Sequence, residues 1–280
     1  MNMSQSNFYD SEKDTVKQSF LVATFAFISL VYSLVVRDLR TEHKNAAAGI
    51  LISVGQPLVA GLIFYAFISM MGGSAGAVRG DNLTFVLIGF IIFFMHIRTV
   101  AAVAGALRPD MMNHQRLTPF LMVCVKAISS GYKNVLALII MMILNWVLRD
   151  VYEMQDPLLF VIVIFFCWFG GIAVGIVFLA LNRYFTWGAL IQTAYVRIMF
   201  FTSGKFFVAN LVPSNMRVFM DWNPLFHLLD YGRAAAFLNY SARTTDLNYA
   251  IYVYSAVFVL AMLVEAHVRR HYSASHMPGG

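Results

Sequence analysis

Charged residues and cysteines are what this sequence has least of, and each scarcity excludes something. Asp, Glu, Lys and Arg make up 12% of the 280 residues, against 60% hydrophobic ones and a mean hydropathy of +0.70. Soluble globular domains do not carry that balance, so the chain reads as an integral membrane protein. Its two cysteines, Cys124 and Cys167, lie far apart in apolar surroundings. They supply neither a disulfide framework nor a spaced metal site, and are expected to serve packing alone. A Gly-x-x-x-x-Gly-Lys-Ser/Thr phosphate loop is missing, so any ATP hydrolysis has to come from another chain. The polar stretches between apolar runs are too short to fold into a soluble catalytic domain.

Basic residues outnumber acidic ones 20 to 14, giving a formal charge of +6 and a pI near 9.4. A nucleic-acid module would gather such cations on one water-exposed face. Here they stand at the ends of apolar runs, which argues against nucleic acid as the partner.

What is present is a series of apolar segments, each near the roughly 20 residues a bilayer requires. Six are clear: 49–71, 83–99, 131–148, 158–181, 187–207 and 248–266. Lys and Arg favour the cytoplasmic side of a span. One assignment collects Lys13, Lys17, Arg37, Arg40, Lys44, Arg98, Arg108, Arg116, Lys126, Lys133, Arg183, Arg269 and Arg270 there. Both termini are then cytoplasmic, and the long external segments are 72–82 and 208–247. The first 18 residues are polar and charged, so insertion is expected to use the spans, without a cleavable signal peptide. Ser19 to Val36 approaches a span, but Thr24, Ser29, Tyr32 and Ser33 fall loosely on one half of a helical wheel. An interfacial helix is the preferred reading, with Arg37, Arg40 and Lys44 at the headgroups and membrane lipids as its partner.

Three regions carry candidate function. Between Arg98 and Lys126 the apolar run breaks at Arg108-Pro109-Asp110 and at Asn113 to Arg116. Pro109 forces a turn, which predicts a short cytoplasmic helix suited to a docking partner. The run Phe200-Phe-Thr-Ser-Gly-Lys-Phe-Phe then ends the fifth segment with small residues inside an aromatic stretch. Such a helix breaks easily, and backbone that leaves helical geometry at membrane depth must be buried in protein or line a cavity. Segment 200–240 is therefore a candidate to re-enter the membrane. Arg197 and Lys205 are costly there unless they face a wet interior or snorkel outward; for an anionic cargo they are natural pathway residues. Tyr65, Phe67, Trp146, Tyr152, Trp168, Tyr184, Trp187 and Tyr195 are placed to form interfacial belts or to stack on sugar rings. The third region is Asn223-Pro224, a helix start, because Asn caps free N–H groups and Pro suits the first helical position. A helix towards Asn239 would put His227, Asp230 and Arg233 on one face, as a charge-assisted ladder closing an external cap. One His and one Asp at that spacing are too few for a metal.

Residues Leu34-Val-Val-Arg-Asp-Leu-Arg-Thr-Glu-His-Lys, with Gly49-Ile-Leu-Ile and Gln56-Pro57-Leu58, form one recognisable block. Arg108-Pro109-Asp110 with Leu117-Thr-Pro-Phe forms a second. Phe200-Phe-Thr-Ser-Gly, Leu211-Val-Pro and Trp222-Asn-Pro-Leu-Phe-His-Leu-Leu-Asp-Tyr-Gly-Arg form a third. In this order they resemble the membrane permeases of the ABC exporters that carry capsule polysaccharide and related glycolipids out of Gram-negative bacteria. Thr41-Glu42-His43 departs from that family's basic-aromatic step, and Asp230 stands where Glu is common. The resemblance implies an all-α membrane protein, one exporter transmembrane domain over 1–280. It has six transmembrane helices, an N-terminal interfacial helix, a cytoplasmic coupling helix and short periplasmic or re-entrant helices before the last span.

It also implies a homodimer with two copies of a separate ABC ATPase that holds ATP and Mg, this chain binding no cofactor and having no catalytic residues. Periplasmic co-polymerase-type and outer-membrane export proteins extend the path, in a bacterial inner membrane. Arg37, Arg40, Arg98, Arg108, Asp110 and Arg116 would couple to the ATPase. Arg197, Lys205, Tyr65, Trp168, Trp187 and Tyr195 would line the path of an anionic polysaccharide or glycolipid. Asn223, Pro224, His227, Asp230 and Arg233 would form the periplasmic motif. Two other readings stay open: an ABC permease for another cargo, such as O-antigen, a teichoic-type glycolipid, a drug or a lipid, and a membrane-embedded enzyme acting on a lipid carrier. The enzyme needs convergent acids and bases, for which the sequence offers only His227 and Asp230.

Overall fold

A computed structural model describes residues 22, 25, 27–39, 46–70, 82–107, 118–149 and 154–274, with side chains at 46–50, 53–54, 68, 148–149 and 267–274 left aside. The chain is all-α: α1 (27–39), α2 (Ala46–Met70), α3 (Asn82–Ala104), α4 (Pro119–Arg149), α5 (Pro157–Tyr184), α6 (Gly188–Thr202), a 3-10 turn (Ala209–Leu211), α7 (Ser214–Asp221), α8 (Pro224–Ala236) and α9 (Leu247–Ala274). Among the described residues there is no strand.

Among the described residues four helical stretches are long and apolar enough to cross a membrane: Asn82–Ala104, Pro119–Val147, Pro157–Tyr184 and Leu247–Ala266. α2 is a further apolar helix of 25 residues, with Pro57 inside it. The fifth apolar segment differs from its sequence boundary of 207. α6 ends at Thr202, and its 15 residues reach about 22 Å, short of a roughly 30 Å hydrocarbon core.

α3 is the central helix, packed on α2, α4, α5 and α8. Its contact with α5 is close because α5 carries glycines there. A Cβ on Gly171 would stand 2.8 Å from Thr99 Cβ, and one on Gly175 2.7 Å from Val103 Cβ. The Gly171/Gly175 spacing is the small-xxx-small pattern by which helices approach in lipid, a signal the sequence held. α5 begins where Asp156 accepts from Leu159 N at 2.9 Å with Pro157 at the first turn.

α8 does not lie outside this bundle. Leu225, Leu228, Leu229 and Ala235 share one core with Leu87, Ile91 and Ile92 of α3, Val163 and Cys167 of α5, and Ala250 and Tyr254 of α9. At the other end, Val31 and Val35 of α1 pack against Leu121 and Val125 of α4.

Candidate functional site

The site is the turn between α6 and α7 and the helix that holds it. Gly204 has φ +70, left-handed backbone that glycine adopts freely, and a Cβ there would stand 2.5 Å from the Phe226 ring. That one residue ends α6 inside the aromatic run. Three carbonyls of the turn then face α8, and Gly204 O also accepts from Phe207 N at 3.1 Å. Arg233 Nη1 donates to Gly204 O at 3.0 Å and Phe207 O at 2.7 Å, and Nη2 donates to Lys205 O at 2.7 Å. The guanidinium also stacks over Phe85, 3.7 Å from its centroid. Gly89 of α3 makes the space, since a Cβ there would lie 2.7 Å from Nη2. Arg233 is buried to 1% exposure and clamps the turn with its planar fork.

Lys205 lies in the same turn, fully buried. Its Nζ donates to Phe200 O at 3.0 Å and sits 3.2 Å from the Phe200 centroid and 3.4 Å from that of Phe93, with Phe206 and Phe90 further round. The sequence expected a wet interior or a snorkelling side chain. The fold instead turns this ammonium into an aromatic cage, because the break at Gly204 points the chain back into the helix pack.

The Asn223-Pro224 helix start is present as read. Asn223 Oδ1 accepts from Leu225 N at 2.9 Å, and its amide donates to Thr202 Oγ1 at 2.8 Å, tying α8 to the end of α6. The helix stops at Ala236, before Asn239. His227, Asp230 and Arg233 do share a buried face, but among the described residues no hydrogen bond or ion pair joins them. His227 Nδ1 accepts from Asp246 N at 2.9 Å, so Nε2 is the nitrogen that donates to Asp221 O at 2.8 Å. Asp230 accepts from Tyr240 Oη and, at 2.7 Å, from Thr245 Oγ1. The ladder reading is thereby corrected: each side chain ties α8 to a different segment, because the neighbouring backbone offers each one nearer partners. Burial pushes the Asp230 carboxyl up, opposed by the Tyr240 and Thr245 hydrogen bonds and by the Arg233 charge. Burial also draws Arg233 down to about 10, which leaves it charged at neutral pH.

The other expected pathway residues scatter. Trp168 is half-buried and donates to Ala127 O at 3.0 Å. Tyr195 meets His96 Nε2 at 2.8 Å, and Tyr65 packs at the edge of the central core. Trp187 is exposed beside Phe185, and Arg197 is exposed with no hydrogen bond or ion pair among the described residues. Sequence reading missed the interior polar line. His96 is fully buried, its Nδ1 3.2 Å from Cys167 O, and one turn further along α3 Thr99 is joined to Ser130 and Asn134 of α4. Polar residues inside apolar segments were the available signal.

Of the expected coupling residues, Arg98 donates to Gln56 Oε1 at 2.8 Å and Arg37 is exposed on α1. Arg40, Arg108, Asp110 and Arg116 lie outside the described residues. α1 is fastened to α4 by a buried ion pair that the sequence did not suggest, Lys126 Nζ to Asp38 Oδ1 at 2.6 Å. Among the described residues no group of three or more His, Cys, Asp or Glu gathers to hold a metal.

An all-α bundle of apolar helices with an inward-packed helix before its last crossing defines a multi-pass membrane protein. Residues 29–237 match the ABC-2 type transporter family, and the chain belongs to that family: it is the membrane subunit of an ABC transporter, not an enzyme itself. Such a subunit works with an ABC ATPase. The chain is 22% identical over 240 residues to the Polysialic acid transport protein KpsM of Escherichia coli, covering 83% of this chain and 89% of that one. A second Escherichia coli protein of the same name matches to the same extent.

Proposed function

We propose that this subunit exports capsular polysaccharide, a lipid-linked anionic glycan, across the bacterial inner membrane through a canal between two copies of itself. The observation that carries this reading is the likeness to polysialic acid transport proteins along most of the chain. Physical chemistry supports a canal, since each sugar hydroxyl would lose its water in hydrocarbon. Two copies of an ABC ATPase bind ATP and Mg, and act through α1, Arg98 and the 108–116 segment, with both termini cytoplasmic. Periplasmic and outer-membrane export proteins receive the glycan. Segment 200–240 re-enters the membrane from the periplasmic side, a reading supported by the packing of α8 against crossing helices. Arg197 is the proposed cation on the path, being exposed where Lys205 is enclosed.

The test is to co-purify the chain with the product of a neighbouring ATP-binding gene and to assay ATPase activity in lipid with and without isolated capsular glycolipid. Stimulation of a two-plus-two complex is the expected result. A complex indifferent to the glycolipid would assign the transporter another cargo, such as O-antigen, a teichoic-type glycolipid, a drug or a lipid.

A further inference from the structure

An apolar space lies between the C-terminal parts of α5 and α9. It is a groove of about 570 Å³ walled by Val177, Ala180 and Leu181 on one side and by Leu263 and Val264 on the other, with Tyr184 and Phe185 at one end. We propose that this groove seats one acyl chain of a resident anionic glycerophospholipid.

Three observations point to that occupant. Both walls belong to helices long and apolar enough to cross the bilayer, and the groove runs into exposed apolar surface at Val259, Leu260 and Leu263. It therefore opens to hydrocarbon, where only an apolar chain fills it without a polar loss. Its aromatic end marks a depth: Tyr184, Phe185 and Trp187 are all exposed there, the pattern of side chains at a headgroup boundary. Positive charge stands at that same end, where Arg183 is exposed in the last turn of α5. A phosphate bearing a net negative charge meets that cation where its acyl chain leaves the groove. The inference uses only the membrane placement of the chain and is independent of its cargo.

The full chain, together with its ATPase, is placed in phosphatidylcholine vesicles containing a phosphatidylglycerol with a diazirine on its acyl chain. After irradiation, adducts are located by peptide mass spectrometry. Labelling should concentrate several-fold on 177–185 and 263–264 over Leu158 and Val161, exposed positions at the other end of α5. Ala180→Trp, which fills the space, should remove the groove adducts and spare those at Leu158. Arg183→Gln should weaken labelling by the phosphatidylglycerol probe and not by a phosphatidylcholine one. Even labelling along α5 in the unmodified chain would overturn the proposal by reducing the groove to ordinary lipid-facing surface. An unlabelled groove that instead cross-links to a second copy through Leu263 would assign it to a protein contact. Equal labelling by both probes would overturn the anionic class.

Discussion

Lys126 and Lys205 are both buried lysines in an apolar chain, and the two ends of the molecule hold them in opposite ways. At the α1–α4 contact Lys126 meets the carboxylate of Asp38. In the turn after α6, Lys205 is held by ring faces and one carbonyl, while the neighbouring Arg233 binds three carbonyls of that turn. An ion pair joining two elements depends on a single partner, and buried pairs are weak evidence of stability because desolvation offsets much of the attraction. A fork on three carbonyls also satisfies turn backbone, of which only Gly204 O has a second donor, Phe207 N, among the described residues. The first arrangement is a joint; the second is a clamp on a broken helix.

The largest effect should come from breaking the clamp. Arg233→Met strands the carbonyls of 205 and 207, with an expected loss of about 2–5 kcal/mol at about 1–3 kcal/mol per unsatisfied buried group, read as thermal unfolding in detergent. Arg233→Lys should recover only part of it, since an ammonium cannot reproduce the fork. Exchanging Asp230 and Arg233 should be as damaging as Arg233→Met, because their partners differ; recovery in the swap would restore the ladder.

Next in size, Asp38→Asn or Lys126→Met breaks this buried ion pair and should cost about 3 kcal/mol, while Asp38→Leu with Lys126→Met should be close to neutral. A double-mutant cycle measures this, and additive losses would remove the joint. Gly204→Ala forces a Cβ into left-handed backbone and towards Phe226, an expected loss of about 1–2 kcal/mol from conformation alone. Lys205→Met should stay within about 1 kcal/mol of the parent, since loss of cation–ring attraction is offset by relief of a buried charge. A large loss there would mean that the cage is itself a main support of the turn. The smallest effect on stability, within about 0.5 kcal/mol, is expected at exposed Arg197 on change to Glu. Export should nevertheless fall, and normal surface polymer would take Arg197 off the path.

Sequence reading went furthest where the physics is local. Asn223-Pro224 specifies a helix start through its own side chain and ring, and the structure has it there. The Phe-rich run with Thr202, Ser203 and Gly204 reads as a fragile helix end, and α6 does end at Thr202. The shared face of His227, Asp230 and Arg233 follows from helical spacing, yet their partners do not. Arg233 bonds to a carbonyl 28 residues away, and Lys126 to a carboxylate 88 residues away. The Gly171/Gly175 pair went unread in the sequence, and which helix presses on it is decided by packing.

By itself the sequence determined that the chain is an all-α membrane protein, because hydropathy summed over about 20 residues already decides between water and lipid. Caps, the break at Gly204 and the basic ends of the segments are decided within a few residues in the same way. Only the tertiary structure decided that Lys205 faces phenylalanines, that Arg233 holds the turn and that α8 lies inside the bundle. A buried polar group takes the partners that packing brings near, and with no water to serve instead, their identity depends on every helix around them.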